Sequence, residues 1–429
     1  MASYFKIFSL PRKSIVMKTI YTLFIVCFFN SFYLSAQTFI QKADFPGGIR
    51  WQGQQFTLGD KIYICGGVDT TDFLSDMWEY NTLTDSWTKK SDLPTKKVLG
   101  TATEFGGVAF LGLGWDGTKS LNDWWQYDNN NDSWVQKADF PGTPRYDAAA
   151  ITWKNDIYIL MGSDYDTGTA TVYPFNDIWK YTPSTDTWVW TDTFPDIPRY
   201  GGFEFVVGDK LYYGFGQNDA IETWYSDTYT YDLVNHIWTK LASVPFTPCE
   251  AAGSTCYSGI FNNKIVLLNT DWNADEPDDY HNIYVYDIDT DIWTIYNKAN
   301  PISWRLFGYG GTIGNKGYNG IGYDYEFDIW YKDFWEIDLA KVVTAIENQF
   351  PEYSNIKLNS TTRNIHVELP EKLQDHSQFL IQTIDGKELK QYALGNVTDI
   401  DITIFPVGAY VWSIKNNGAL IKSGKIIRM

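Results

Sequence analysis

The chain has 429 residues, of which 34 are basic and 52 are acidic, and its formal net charge is −18. Such an acidic balance argues against binding to nucleic acid or to an anionic membrane surface, since both need clustered Lys and Arg. Aromatic residues make up 17% of the chain and glycines number 34, which predicts an all-β protein with many tight turns. With only four His and four Cys, we expect no metal site and no cofactor.

The first 36 residues have the pattern of an export signal. Three basic residues between positions 12 and 18 precede an apolar run over residues 20–34, and Leu34-Ser35-Ala36 is a small-residue cleavage motif. The run is about 15 residues long, whereas about 20 are needed to span a bilayer, so we favour cleavage after Ala36 over a membrane anchor. Met17 is an alternative start of the same signal. We therefore expect no stable membrane span in the mature chain.

Three cysteines remain after the signal, namely Cys65, Cys249 and Cys256. A disulfide between Cys249 and Cys256 is one alternative in an oxidising compartment. Seven residues along one strand would hold these two thiols too far apart, so we expect all three cysteines to be unpaired.

A short motif built around Asp-x-Trp-x-Tyr recurs six times along the chain. Its copies, two of them degenerate, lie at residues 75–80, 122–127, 176–181, 226–231, 281–286 and 332–337. In the first five copies a Trp follows the Tyr by seven residues, at Trp87, Trp134, Trp188, Trp238 and Trp293. A turn pair such as Gly59-Asp60 and an apolar run ending in glycine precede the motif. Each repeat is therefore predicted to hold four antiparallel strands, a to d, with the motif on c and the Trp on d.

The repeat period, the diglycine after strand b and the fixed Tyr–Trp separation resemble the kelch repeat over residues 38–340. This resemblance implies a β-propeller with one repeat per blade. The diglycine, Gly66-Gly67 in the first repeat, is altered in three others, which read Leu113-Gly114, Met161-Gly162 and Leu268-Asn269. We expect those blades to be strained or distinct.

The last repeat lacks strand d, because no Trp follows its strand c, which ends at Ile337-Asp338. At the other terminus, residues 39–46 are a near copy of residues 134–141, which contain strand d of the second repeat. We therefore predict that the N-terminal strand completes the sixth blade. This would give a six-bladed kelch-type propeller over residues 37–340, with no free sheet edge between the first and last blades.

Past residue 340 the repeats stop, and residues 341–429 are predicted to form a small β-sandwich. Alternating strands at 364–369 and 379–384, the turn Asp385-Gly386, the strand 406–412 and a Lys-rich last strand resemble the type A sorting domain of the type IX secretion system of Bacteroidota. The resemblance implies a secreted or outer-membrane cell-surface protein, exported through the periplasm with the type IX machinery as partner. The family's Tyr-Pro-Asn-Pro opening is absent, and residues 349–353 stand in its place. An ordinary appended sandwich is the alternative.

Motifs for known chemistry are weak in this sequence. Residues 112–117 match the dinucleotide fingerprint, but they fall on the diglycine of a repeat, and a strand follows where the fingerprint needs a helix. Residues 287–291 imitate the start of a calcium loop without its Gly and Glu, and the acidic loop 275–279 is a better cation candidate or simply a solvated loop. No nucleophile elbow, zinc-binding His pair or Walker loop occurs. We assign no catalytic residue and no metal.

Basic residues recur at the junctions between strand d and the next strand a, with Lys97 one place early and Cys249 as a departure. They are Arg50, Arg145, Arg199 and Arg305, and their aromatic neighbours are Trp51, Tyr146, Tyr200 and Trp304. In a four-stranded blade the d–a and b–c loops share one face, so we expect a cationic ring around the mouth of the channel. Arg binds carboxylates and aromatic rings stack on sugars, which predicts a carboxylate or an acidic sugar as ligand. In the alternative, the arginines pair with neighbouring acids and belong to the scaffold.

Two functions remain, and the lack of an organised catalytic set favours the first. One is a secreted or cell-surface binding module for a glycan or a protein at the d–a/b–c face. The other is an enzyme, because six-bladed bacterial kelch propellers include sialic acid mutarotases (N-acetylneuraminate epimerases). There the arginines would bind the carboxylate, with Glu250, Asp147 or Glu204 as general acid or base. A copper enzyme of the galactose oxidase type is rejected, because the repeats offer only His236 and His281.

Overall fold

The computed structural model describes residues 38–244, 257–268, 282–296, 300–303, 305–324, 328–343, 357–360, 363–370, 373–383, 387–416 and 419–428. The predicted export signal, the acidic loop 275–279, Cys249 and Cys256 lie outside these residues. The fold is all-β, as predicted, with 56% strand and 2% helix. Cys65 is buried and unpaired. In the described part of the chain, no helix is long and apolar enough to cross a membrane.

Four-stranded antiparallel sheets follow one another along the chain. After β1 (Phe39–Lys42), the first sheet is β2 (Gln54–Leu58), β3 (Lys61–Cys65), β4 (Met77–Asn81) and β5 (Ser86–Lys90). The second is β6 (Thr101–Phe105), β7 (Val108–Gly112), β8 (Trp124–Asp128) and β9 (Ser133–Gln136). In the third, β10 (Ala149–Trp153) and β11 (Asp156–Leu160) lead through a small hairpin, β12 (Ser163–Asp166) and β13 (Thr171–Pro174), to β14 (Asp177–Thr182) and β15 (Thr187–Thr193).

The next sheets repeat this order. In the fourth, β16 (Phe203–Val207) and β17 (Lys210–Gly214) lead through a second hairpin, β18 (Gln217–Asn218) and β19 (Thr223–Trp224), to β20 (Thr228–Asp232) and β21 (Ile237–Lys240). The fifth contains β22 (Tyr257–Phe261), β23 (Lys264–Leu268), β24 (Ile283–Asp287) and β25 (Ile292–Tyr296). The sixth contains β26 (Tyr309–Ile313), β27 (Lys316–Asp324) and β28 (Ile329–Asp338), with β1 as its fourth strand.

The N-terminal strand is the outer strand of the last sheet. Phe39 lies opposite Ile337 and Lys42 lies opposite Phe334, in antiparallel register. This pairing confirms the prediction drawn from the near copy of residues 134–141. The innermost strands pack side by side in the order β22, β26, β2, β6, β10 and β16, so the sheets are arranged around a central channel.

A repeated set of hydrogen bonds joins neighbouring sheets at four places among the described residues and explains the Tyr–Trp interval. In the first sheet Asp85, in the turn between strands c and d, accepts from the Tyr80 hydroxyl at 2.8 Å. It also accepts from the backbone N–H of Ala43, which follows β1, at 2.8 Å, and Trp87 Nε1 donates back to the Ala43 carbonyl at 2.9 Å. We call this set the Asp clasp. It recurs around Asp132, Asp186 and Asp291.

The fourth sheet varies the clasp. His236 stands where the other sheets have Asp, and its Nδ1 lies 2.7 Å from the Tyr231 hydroxyl. The same hydroxyl donates to Asp192 of the preceding sheet at 2.6 Å. In this sheet the carboxylate that binds the Tyr hydroxyl therefore comes from the preceding sheet, and His236 occupies the position of the usual Asp.

The C-terminal residues form two further sheets. Their strands are β29 (Lys357–Ser360), β30 (Asn364–Glu368), β31 (Ser377–Thr383), β32 (Glu388–Ala393), β33 (Val397–Asp401), β34 (Gly408–Asn416) and β35 (Ala419–Arg428). One sheet has the order β29-β30-β33, and the other has the order β35-β34-β31-β32. One apolar cluster, which includes Val367, Phe379 and Trp412, lies between them. Through β35 the second sheet joins β25, so that eight strands form one continuous sheet.

A substitution at Phe45 tests how strongly the N-terminal segment holds the sixth and first sheets together. Its ring is 1% exposed and lies 5.0 Å from the ring of Trp87, and its backbone N–H donates to the carbonyl of Lys332. We expect Phe45→Ala to lower the free energy of unfolding by about 3–5 kcal/mol, as for other buried phenylalanines. The measurement is urea denaturation of the mature chain. Ile40→Ala, on the same segment but 42% exposed, is the matched control and should cost less than about 1 kcal/mol. Equal losses for the two variants would contradict the closure.

Candidate functional site

The four arginines of the predicted cationic ring are buried, and none is more than 1% exposed. Each forms an ion pair with the Asp that precedes strand c of its own sheet. The pairs are Arg50–Asp76 at 2.8 Å, Arg145–Asp177 at 2.6 Å, Arg199–Asp227 at 2.5 Å and Arg305–Asp333 at 2.6 Å. Lys97 makes the same contact with Asp123 at 2.6 Å in the second sheet.

The remaining contacts of the guanidinium groups are also internal. Nη1 of each arginine donates to the carbonyl of the residue 16 positions later, which is Gly66, Met161, Phe215 or Ile321. These residues have φ between 58° and 69° and occupy the first position of the predicted diglycine. Met161, which belongs to an altered diglycine, keeps the left-handed conformation at a steric cost, as expected for that repeat, and Phe215 and Ile321 do so at positions for which no strain was predicted. Aromatic faces cover the guanidinium groups, as Tyr225 does for Arg199 at 3.8 Å.

Three of the Asp partners have a lowered pKa, which favours their charged form. Burial alone would raise the pKa of Asp177, but the hydrogen bond and charge of Arg145 outweigh it and hold that pKa below its ordinary value. The same balance lowers the pKa of Asp76 and of Asp333. Arg50, Arg145, Arg199 and Arg305 are therefore enclosed and paired with carboxylates of their own sheets. This arrangement is the alternative given in the sequence analysis, in which the arginines pair with neighbouring acids, and the ligand-binding role of the arginines stays a prediction.

The channel itself forms a cavity of about 200 Å³. The six innermost strands and the residues just before them line it, mostly with small side chains from glycine and alanine. Its larger lining residues are Gln54, Gln55, Leu99, Thr101, Asp147, Phe203, Glu204, Ser258, Phe307 and Tyr309. No Lys or Arg lines it among the residues that the structure describes, and the sequences of segments 245–256 and 269–281 contain none either.

A chain of backbone hydrogen bonds fixes the rim of this cavity. The residue two positions after each arginine or Lys97 has positive φ, as at Leu99 and Asp147. The N–H of Leu99 donates to the carbonyl of Gln52 at 2.7 Å, and the N–H of Asp147 donates to Leu99 at 2.7 Å. Gly201 continues the series by donating to Asp147 at 3.3 Å. Neighbouring sheets are thereby linked at the rim, and the Asp147 carboxyl is held at the cavity.

Aromatic side chains surround the rim on the d–a/b–c face. The residue after each base forms a bridge with its own b–c loop, as in Trp51 with Val68 and Tyr146 with Ser163. Rings of adjacent sheets then meet edge to face, with centroid distances of 5.5 to 5.8 Å. The pairs are Trp51–Phe307, Trp51–Tyr323, Trp115–Tyr165 and Tyr146–Tyr200. We call these seven residues the aromatic collar.

The predicted aromatic residues thus lie at the mouth of the channel, whereas the arginines are buried. Trp51 and Tyr146 are half-buried there, Tyr200 is buried beneath them, and Trp304 lies outside the described residues. The sequence analysis did not single out Trp115, Tyr165, Tyr323 and Phe307. A usable signal was present, since Trp115 and Tyr323 each stand directly after a b-strand glycine pair or its variant, Leu113-Gly114 or Ile321-Gly322.

Two carboxyl groups in the cavity have strongly raised pKa values. Burial, with a smaller contribution from the charge of Asp219, raises the pKa of Asp147 to about 7. Burial and the charge of Asp147 raise the pKa of Glu204 to about 8, although a hydrogen bond from the Ala150 backbone acts in the opposite direction. Both residues were candidates for acid–base chemistry, whereas Glu250 lies outside the described residues. Near neutral pH this pair can hold or release a proton inside the channel.

Comparisons with known proteins show that the chain contains kelch repeats. Residues 105–269 match the KLHDC2/KLHL20/DRC7 Kelch-repeats domain, and residues 56–94 match the Kelch motif. A solved structure described as "Structure of YjhT" is similar to this chain with a TM-score of 0.55 and 15% sequence identity, covering 68% of this chain and 95% of that one. At that identity the likeness concerns the fold alone. The comparison with curated proteins found no match. A kelch-repeat propeller fold is typical of a binding or interaction module.

The buried ion pairs predict a loss of stability when an arginine is removed. Arg145 is fully buried and Asp177 is half-buried, so Arg145→Ala leaves the carboxylate of Asp177 without its partner, and the loss should approach the value of about 3–5 kcal/mol known for buried pairs. We expect chemical denaturation to show a loss of that size. The double variant Arg145→Leu with Asp177→Leu removes both charges and should recover a large part of it. If Arg145→Ala unfolds like the wild type, the arginine does not support the scaffold.

The raised pKa values predict how stability depends on pH. Asp147 and Glu204 titrate near pH 4 in the unfolded chain but at about 7 and about 8 in the folded protein. Between these values the folded state binds more protons, so their contribution to stability falls as pH rises from about 4 to about 8. Melting temperatures between pH 5.5 and 9 should fall more steeply for the wild type than for Asp147→Asn with Glu204→Gln. Identical slopes would show that neither pKa is raised in the fold.

Proposed function

We propose that this protein is a secreted or cell-surface kelch propeller that binds a neutral saccharide at the mouth of its channel. The observation that supports this proposal is the combination of the aromatic collar with the polar cavity beneath it. Half-buried aromatic faces can stack on the apolar faces of pyranose rings, while Asp147 and the exposed amide of Gln55 offer groups that bond to hydroxyls.

The charge of the cavity favours a neutral ligand over the acidic sugar expected from the sequence. A carboxylate would need a desolvated cation, and the lining described here offers only carboxyls, amides and hydroxyls. Asp219 adds a further negative charge near Asp147. A sialic acid would therefore meet repulsion at this mouth, whereas a neutral hexose or hexosamine chain would not.

The proposal includes the domain plan drawn from the sequence. Residues 1–36 serve as the export signal, and the six sheets over residues 37–340 are the blades of one closed propeller. Residues 341–429 form a C-terminal sandwich that directs the chain to the type IX secretion machinery and the cell surface. The small-residue cleavage motif and the resemblance of the C-terminal strands support this plan.

Glycan-array binding of the mature chain at pH 8 tests the ligand class. We expect binding to neutral glycans and none to sialylated ones. Asp147→Ala should weaken binding by about ten- to a hundredfold, since a hydrogen bond to a charged group contributes about 1.5–3 kcal/mol.

Tyr146→Ala removes a collar ring and should weaken the same binding. Tyr173→Ala removes an equally large ring on β13 that is 46% exposed and does not belong to the aromatic collar, so it should bind normally. Binding restricted to sialylated glycans, or equal effects of Tyr146→Ala and Tyr173→Ala, would contradict the proposed site.

A second function, a sugar mutarotase, is favoured by the Asp147–Glu204 pair alone. Mutarotation needs one group to donate a proton to the ring oxygen and another to accept the proton of the anomeric hydroxyl. Two cavity carboxyls that titrate near pH 7 and 8 meet that need. If a saccharide binds, its anomeric exchange by NMR should accelerate with the wild type and not with Glu204→Gln. An unchanged exchange rate with the wild type would leave binding as the only function of this site.

A further inference from the structure

The outer strand of the fifth sheet is covered by the C-terminal strand of the chain. Trp293 of β25 lies opposite Ser423 of β35, and the two strands run antiparallel. Ile292 packs against the apolar cluster between the two C-terminal sheets. This contact involves neither the channel nor the aromatic collar, so it is independent of the proposed function.

The equivalent strand of the fourth sheet shows what the covering changes. In β21, Ile237 is 58% exposed, Trp238 is half-buried and Thr239 is exposed. At the same positions of β25, Ile292 is half-buried, Trp293 is 0% exposed and Thr294 is half-buried. All three positions are therefore more enclosed in β25 than in β21.

The sequence of β25 is more apolar than the sequences of the other outer strands. Three other outer strands carry charged residues, with Lys89 and Lys90 in β5, Asp192 in β15 and Lys240 in β21, and β9 (Ser-Trp-Val-Gln) carries no charge but begins and ends with polar residues. Such charges on an edge strand prevent it from pairing with other chains. β25 reads Ile-Trp-Thr-Ile-Tyr and carries no charge. If this edge were exposed, it would pair with a strand of another chain.

We propose that β35 is an intramolecular cap on β25, and that displacement of the cap lets β25 pair with β25 of a second copy of this chain. Antiparallel pairing of two identical edges gives a two-fold symmetric dimer, in which each strand supplies the same donors and acceptors. The C-terminal unit therefore controls self-association of the propeller.

The test uses the full mature chain and the mass measured by light scattering after size exclusion. Ser423 lies opposite both Trp293 of β25 and Ser413 of β34, so Ser423→Pro removes an N–H from β35 and loosens that strand while leaving the sequence of β25 unchanged. We expect the mass to double relative to the wild type. Adding Thr294→Lys puts a charge on the exposed edge and should restore the wild-type mass, whereas Thr239→Lys at the matching position of β21 should not. A mass unchanged by Ser423→Pro, or equal rescue by both lysines, overturns the proposal.

A second measurement needs no variant and does not depend on how Ser423→Pro folds. Hydrogen exchange of the wild-type chain compares the amides of β25 with those of β21. Since β35 covers β25 and nothing described covers β21, we expect exchange in β25 to be at least tenfold slower. Equal exchange in the two strands would show that the cap does not form in solution.

Discussion

The Asp clasp is the interaction on which the arrangement of the sheets depends. One carboxylate in the turn between strands c and d binds the Tyr hydroxyl of its own sheet and a backbone N–H of the preceding sheet, as Asp85 does with Tyr80 and Ala43. The seam between the sixth and first sheets has the same hydrogen bonds as those around Asp132, Asp186 and Asp291, although its two sides lie at opposite ends of the repeat region. The N-terminal segment therefore makes the contacts that a strand d of the last repeat would make.

Within each sheet a second carboxylate fixes the loops of the d–a/b–c face. The pairs such as Arg145–Asp177 join residues 26 to 32 positions apart and also satisfy the carbonyl of a left-handed residue. These charged groups stabilise the rim, and each of them is paired within its own sheet. Aromatic rings and carboxyls lie at the mouth, and we propose that they determine which ligands fit.

The positions of the strands could be predicted from the sequence, but the burial and the partners of the charged residues could not be decided from it. The seven-residue interval from Tyr80 to Trp87 predicted a c–d hairpin, and the near copy at residues 39–46 predicted the β1–β28 pairing, because both are local or repeated patterns. The sequence left open whether Arg145 binds a ligand or pairs with a neighbouring acid, since its burial depends on how a b–c loop of variable length returns Asp177 to the start of the sheet. The cavity position of Asp147 and the pairing of β25 with β35 likewise arise only from tertiary packing.

The central claim is that the arginines belong to the scaffold while the aromatic collar and cavity carboxyls form the site. A crystal structure of the mature chain with a neutral saccharide selected by glycan-array binding tests it most directly. The account predicts a sugar ring against Trp51 or Tyr146, with a hydroxyl bonded to Asp147 and the Arg145–Asp177 pair unchanged. A sugar bonded to Arg145 or Arg199, or seated on the opposite face of the sheets, would contradict it.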